Sequence, residues 1–274
     1  MERLPCPASG GLNRAAGREG QAVAAAMPFF AFSENPVSYG CGMWDGRFLM
    51  EQSYRYVLFD LDGTLTESAP GITASAAYTL RQYGIEAKEQ DLLRFIGPPI
   101  TDSFIEFYGF SPEQADEAVN RHYRPHYRRE GLFRFSLYDG VPEMLARLQA
   151  AGREVLLATS KPEPFAKLVL DHAGLTRYFA GIHGSSFDGT RENKAEVIAC
   201  ALREAGVADK AEAVMVGDRR YDIEGARSCG LAAIGVLYGY GSEPELTAAG
   251  ASYLAATPLD VCSILLGPAG SASR

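Results

Sequence analysis

The stretch YVLFDLDGTLTES, residues 56–68, decides how the rest of the chain is read. Tyr56 to Phe59 have the length and composition of a strand buried on both faces, and the run ends in Asp60. Asp62 follows two residues later, with Gly63 and Thr64 behind it. Two carboxylates at the carboxyl end of a buried parallel strand stand where open α/β sheets bind ligands. Taken alone, an Asp-x-Asp is equally a pair of turn-forming residues ahead of a helix.

Downstream, β-rich runs alternate with helical stretches. The runs are EVLLATS (154–160), GIHGSS (181–186), AVMVGD (213–218) and AAIGVL (232–237). Pro142–Ala151, Pro164–Ala173, Lys194–Ala205 and Asp222–Ser228 carry helical spacing between them. This order predicts an α/β fold, a Rossmann-like parallel sheet with helices on both faces. Asp139-Gly140 ahead of Pro142 reads as a helix start, and Gly152 and Gly174 stand where helices should stop.

Residues 71–130 read as helices, with Ile72, Ala76, Leu80 and Tyr83 on one face. Such a segment far exceeds the ~2–6 residues of a normal βα loop. It predicts a small all-helical cap domain, residues 70–136, inserted in a core made of 50–69 and 137–274. Pro125 predicts a kink or split near the end of that insert. Residues 1–49 show no sustained period and read as a flexible N-terminal extension.

Composition narrows the function classes. The 274 residues are 47% hydrophobic and 22% charged, the balance of a globular chain rather than a disordered one. Lys and Arg number 26 against 34 Asp and Glu, a formal charge of −8 that argues against a nucleic-acid polymer as partner. An acidic protein that handles an anion must neutralise it locally, with a metal or a few placed cations. The five cysteines form no CxxC pair, which reads as reduced thiols in a cytoplasmic protein. Ala22–Phe32, with Arg14 and Arg18 before it, imitates an export signal, but Pro28 interrupts the run, which also starts late. No apolar run reaches the ~18 residues that span a bilayer, so no membrane partner is expected.

Four motifs stand in order: Asp60 and Asp62 in FDLDGT, Thr159 in LLATSKP, Lys194 in ENKAEVI, and Gly217, Asp218 and Asp222 in VMVGDRRYDIEGA. With them the chain resembles the haloacid dehalogenase superfamily of phosphatases, over residues 55–260. RFIGPPI (94–100), ATSKPEPFA (158–166), GSSFDGTRENKAEVI (184–198) and GVLYGYGS (235–242) resemble its phosphoglycolate phosphatase-like and 5′-nucleotidase-like branch, with a helical cap.

The resemblance implies a Mg²⁺-dependent phosphatase acting on a small phosphorylated metabolite, phosphoglycolate-like or a nucleoside monophosphate. Asp60 would be the nucleophile that forms an aspartyl-phosphate, and Asp62 the acid and base. Mg²⁺, a hard ion, suits Asp60, Asp218 and the Asp62 main-chain carbonyl, with Asp222 holding a metal water or serving as the N-cap of the following helix. Thr159, Ser160 and Lys194 would bind the phosphoryl oxygens, although Ser160 stands where many relatives have Asn. Main-chain N–H groups of Leu61 to Thr64 are further donors.

Other readings are plainer. Arg94 in RFIGPP is a candidate for substrate contact from the cap. The aromatics Phe104, Phe107, Tyr108 and Phe110 read either as a base or sugar pocket or as the cap's own core. Arg121, Arg124, Arg128 and Arg129 read as a solvated helix face, and His122, His126, His172 and His183 as surface or helix residues without metal spacing. A sugar phosphomutase shares every motif, whereas a dehalogenase needs no Asp62. A non-catalytic binding protein is the alternative from another class.

Overall fold

The structure, a computed structural model, describes residues 54–187 and 190–267. The expected N-terminal extension and the export-like stretch lie outside the described residues. Six parallel strands form one sheet in the order β5-β4-β1-β6-β7-β8: β1 (Tyr56–Phe59), β4 (Glu154–Pro162), β5 (Gly181–Ser185), β6 (Ala213–Gly217), β7 (Ala232–Val236) and β8 (Tyr253–Ala255). β1 lies in the middle, with Phe59 opposite Leu157 on one side and Val216 on the other.

Both faces of β1 are covered, which is why its sequence is an uninterrupted apolar run. Val57 and Phe59 point into one layer with Val155, Leu157, Val214 and Val216. Tyr56 and Leu58 point into the other with Leu156, Ala158 and Met215. Helices α6 (Val141–Ala150), α7 (Glu163–His172) and α11 (Pro258–Leu266) contribute to the first layer. Helices α8 (Lys194–Glu204), α9 (Arg220–Ser228) and α10 (Glu243–Ala249) contribute to the second. The short edge strand β8 was not read from sequence, since three residues give no period to detect.

Between β1 and β4 the chain makes a two-residue antiparallel pair, β2 (Thr66–Glu67) with β3 (Ser136–Leu137), and the regular elements between them are all helical. The segments are α1 (Ala69–Gln82), α2 (Glu89–Leu92), α3 (Ile100–Tyr108), α4 (Pro112–Glu117) and α5 (Arg124–His126). Ile72, Ala76 and Leu80 are buried along one face of α1. Pro125 does not split the last helix. Wide π turns at Ala118–Tyr123 and Tyr127–Gly131 flank it, and the backbone stays right-handed helical through Tyr123, Arg124 and Tyr127. Proline lacks the N–H that an ordinary turn uses there, and the wider turns accommodate the gap.

Cys200, Cys229 and Cys262 are free and buried. Among the described residues no helix is long and apolar enough to cross a membrane.

Candidate active site

The sheet order reverses at β1: β4 and β5 lie to one side, β6 to β8 to the other. A crevice opens at such a switch point beyond the strand ends, and the sequence places Asp60 there. The turn after it is closed by its own backbone. Gly63 N–H donates to Thr66 O (2.8 Å) and Thr64 N–H to Leu61 O (3.3 Å). These two amides, expected as anion donors, are therefore already engaged within the turn.

Gly63 has φ +85°, and a Cβ on it would stand 2.2 Å from Asp218 Oδ2. Glycine thus lets two acidic loops touch. Gly63→Ala is expected to cost about 2 kcal/mol or more, from a left-handed backbone and a displaced Asp218. A melting curve unchanged from wild type would contradict that packing.

Asp218, at the end of β6, is fully buried. Its Oδ2 accepts from the Tyr240 N–H (2.8 Å) and its Oδ1 from Thr64 Oγ1 (3.3 Å). Tyr240 also ties down the neighbouring helix. Its hydroxyl accepts from the Ser68 and Ala69 N–H groups (3.0 and 2.9 Å) and donates to Glu67 (3.0 Å).

Asp222 is not the N-cap of α9. The helix starts at Arg220, Arg219 occupies the cap position, and Asp222 lies in the first turn, its Oδ2 accepting from Arg219 N–H (3.0 Å). Gly217 permits this, since a Cβ there would overlap Asp222 at 2.2 Å.

Lys194 heads α8 and is buried under these carboxylates. Its Nζ pairs with Asp60 Oδ1 (2.9 Å) and Asp222 Oδ1 (2.8 Å) and donates to Ala158 O (3.1 Å). Burial pulls the ammonium's pKa down, but Asp222 and Asp60 outweigh it and hold it above its ordinary value. One cation does not balance three carboxylates. Burial, opposed by Lys194 and helped by Asp222, pushes Asp60 up to about 6. Burial, then Asp222 and Asp60, raises Asp218 well above the usual carboxylate range.

Oxygens of Asp60, Asp218 and Asp222 lie within 4.8 Å of one another. A buried, under-neutralised set of oxygen donors fits a hard divalent cation.

Thr159 and Ser160 follow on β4. Thr159 is buried, and its hydroxyl accepts from Lys161 N–H (3.2 Å). Ser160 Oγ is buried and has no hydrogen-bond partner among the described residues. Asp62 meets a residue not singled out in the sequence. Lys161 Nζ lies 2.7 Å from Asp62 Oδ2 and donates to Tyr127 Oη (2.7 Å), joining the acidic turn to the helical insert. Its place two residues after Thr159 was the available signal.

A cavity of about 220 Å³ opens over Asp60 and Asp62. Thr159, Ser160 and Lys161 line it, as do the rings of Phe95, Tyr123, Tyr127, Phe165 and Phe187. The aromatics named from sequence are elsewhere: Phe104 and Phe110 are buried in the core, and Phe107 and Tyr108 pack against it. Arg94 is not among the lining residues. It sits on the outside over Phe107 and Tyr108, 4.6 and 5.4 Å from their centroids. Arg124, read as part of a solvated face, does line the cavity. His183 likewise departs from expectation, buried on β5 beside Cys200 and Glu204.

Residues 57–236 match the model of haloacid dehalogenase-like hydrolases. The chain belongs to that family. A 5′-nucleotidase from Pseudomonas aeruginosa is 46% identical over 71% of this chain and 88% of its own length. A tyrosine-protein kinase, PtkA, from Mycobacterium tuberculosis is 40% identical over 69% of this chain and 64% of its own. A crystal structure of a predicted phosphatase from Clostridium acetobutylicum superposes with a TM-score of 0.76 at 42% identity, covering 78% of this chain and 99% of that one. In this haloacid dehalogenase-like hydrolase the residues after β1 and β6 and the head of α8 therefore meet around Asp60, and Thr159 of β4 lines the same cavity as Asp60.

Proposed function

We propose that the chain is a Mg²⁺-dependent phosphatase that hydrolyses a nucleoside 5′-monophosphate through phosphorylation of Asp60. The observation that carries this is the buried trio Asp60, Asp218 and Asp222, braced by Lys194 and reaching an aromatic-lined cavity through Asp60. In this reading residues 70–136 act as a cap over the core of 50–69 and 137–274, excluding water when a substrate is held.

Asp60, Asp218 and the Asp62 main-chain carbonyl would hold the ion, with Asp222 in support. When bound, Mg²⁺ supplies charge neutralisation for a dianion that three carboxylates would otherwise repel. The chain's own residues do the rest. A carboxylate oxygen of Asp60 forms a bond to phosphorus as the phosphorus–ester oxygen bond breaks, and Asp62 gives its proton to the departing oxygen. Asp62 then takes a proton from water, whose oxygen attacks phosphorus and frees Asp60 and inorganic phosphate.

Lys194 and the hydroxyls of Thr159 and Ser160 are the donors for the phosphoryl oxygens. Lys161, paired with Asp62, fixes the position of the carboxyl that moves the proton in both halves.

The leaving group follows from the rest of the cavity lining. Five aromatic residues contribute to it, and Asp102, Asp116 and Glu192 line it against the single cation Arg124, since Lys161 is matched by Asp62. That balance disfavours the carboxylate of phosphoglycolate and suits an uncharged base. The similarity to a 5′-nucleotidase agrees with this choice. Phosphate release from a panel of nucleoside monophosphates, sugar phosphates and phosphoglycolate tests it. Nucleotides should be strongly preferred, and preference for phosphoglycolate would overturn the choice.

The metal reading carries a pH prediction. Asp60 titrates at about 6, above its unfolded value of 3.8. The metal-free fold therefore binds more protons than the unfolded chain across that window, and its stability falls as pH rises through it. Mg²⁺ relieves the repulsion only where the carboxylates are ionised. Added Mg²⁺ should raise the melting temperature more at about pH 7.5 than at about pH 5. An equal shift at both, or none, would contradict the assignment.

A further inference from the structure

Tyr123 and Tyr127 stack with ring centroids 5.6 Å apart and planes 7° from parallel, and their neighbour Arg124 projects from the same helical track into the cavity. A ladder at four-residue spacing aims it. Asn120 Nδ2 donates to Asp116 Oδ1 (2.7 Å), and Arg124 Nη1 donates to Asn120 Oδ1. Across the mouth, Arg124 Cζ lies 4.9 Å from the ring centroid of Phe187, whose edge meets Phe165.

One group is left over. Arg124 Nε is buried, with no hydrogen-bond partner among the described residues. A guanidinium carries donors only, so whatever Arg124 meets from its place on the cavity wall must be an acceptor.

We propose that Arg124 is the residue that reads the leaving group, taking a base carbonyl oxygen at the end of the substrate opposite the phosphate. This deepens the nucleotide reading above and rests on it. The acceptor must be uncharged, because Asp102, Asp116 and Glu192 outnumber Arg124 in the cavity wall. Asp116, held one ladder away, supplies an acceptor beside the donor.

Uracil and hypoxanthine present a carbonyl oxygen next to a ring N–H, the complement of that donor–acceptor pair. Cytosine and adenine present an amino group next to an unprotonated ring nitrogen, which reverses it. The donor-only guanidinium decides between them, since the exposed carboxylate of Asp116 is satisfied by water in either case. Arg124 is therefore a selector of oxo-bases over amino-bases.

The test compares kcat/KM for UMP with CMP and for IMP with AMP, using the full chain with Mg²⁺ present, in wild type, Arg124→Gln and Arg124→Lys. Wild type should favour the oxo-base of each pair by about tenfold or more. Arg124→Gln should bring both ratios close to one. Arg124→Lys, which keeps the charge as a point donor without the planar fork, should fall between. Thermal unfolding of both variants checks that they are folded.

Unchanged ratios in folded Arg124→Gln would overturn the role of Arg124, and so would a wild type that treats the pairs alike. A wild type that hydrolyses other phosphomonoesters but no nucleotide would instead overturn the nucleotide reading, and this inference with it.

Discussion

Asp60→Asn is expected to lower phosphate release by at least about 10⁴-fold while the protein stays folded. The amide cannot attack phosphorus, and no other carboxylate reaches the same point. Asp62 is held by Lys161, Asp218 by Tyr240 and Thr64, and Asp222 by Lys194 and the Arg219 N–H. Stability should move the other way from activity. Asp60 is one of three buried carboxylates around one ammonium, and Lys194 keeps its pair with Asp222 when Asp60 is neutral. The metal-free variant should therefore melt at or above the wild-type temperature at neutral pH. Wild-type turnover by Asp60→Asn would remove the nucleophile from the account. A large loss of stability would mean that the cluster's repulsion has been misread.

Lys194→Met should destabilise the protein by about 3–5 kcal/mol at neutral pH and abolish turnover as well. The methionine fills the space but leaves Asp60 and Asp222 buried without their cation, and Ala158 O without its donor. Removing one partner of a buried ion pair costs much more than the pair contributes, because the remaining charge stays desolvated. Adding Asp222→Asn to Lys194→Met should recover part of the stability without recovering activity. A double variant no more stable than the single one would show that Lys194 holds the fold by packing alone.

The alternation of apolar runs with helical stretches made the sheet legible, because parallel strands buried on both faces need such runs. Ends agree to within a residue or two: the helix expected at Lys194–Ala205 spans Lys194–Glu204, and the strand expected at residues 213–218 spans Ala213–Gly217. Asp60, Asp62, Lys194, Asp218 and Asp222 were legible as candidates because each stands just past a strand end or in the first turn of a helix, and Thr159 because it follows the apolar run of β4. What remained hidden depends on where the insert folds back over the core.

Arg94, read as a candidate for substrate contact, lies over Phe107 and Tyr108, and Arg124, read as part of a solvated helix face, lines the cavity; nothing local to either residue decides which one the fold turns inward. Phe104 and Phe110 likewise differ from Tyr123 and Tyr127 only by which side of the insert they occupy. Tyr240 holds Asp218 from a loop near the other end of the chain, a contact without periodicity. Asp222, read as a possible N-cap, stands three residues past the cap at Arg219 because the helix starts two residues earlier than its apolar spacing suggests.

Phosphorylation of Asp60 itself is the most direct test. The Asp62→Asn protein, given Mg²⁺ and p-nitrophenyl phosphate, whose leaving group needs no protonation, should complete the first half-reaction and stall before the second. Mass spectrometry of the acid-quenched protein should then find one phosphoryl group, mapped to Asp60, and none when Mg²⁺ is withheld. Phosphate release by the wild type with no phosphoryl group detectable on Asp60 in the stalled variant would contradict the covalent route.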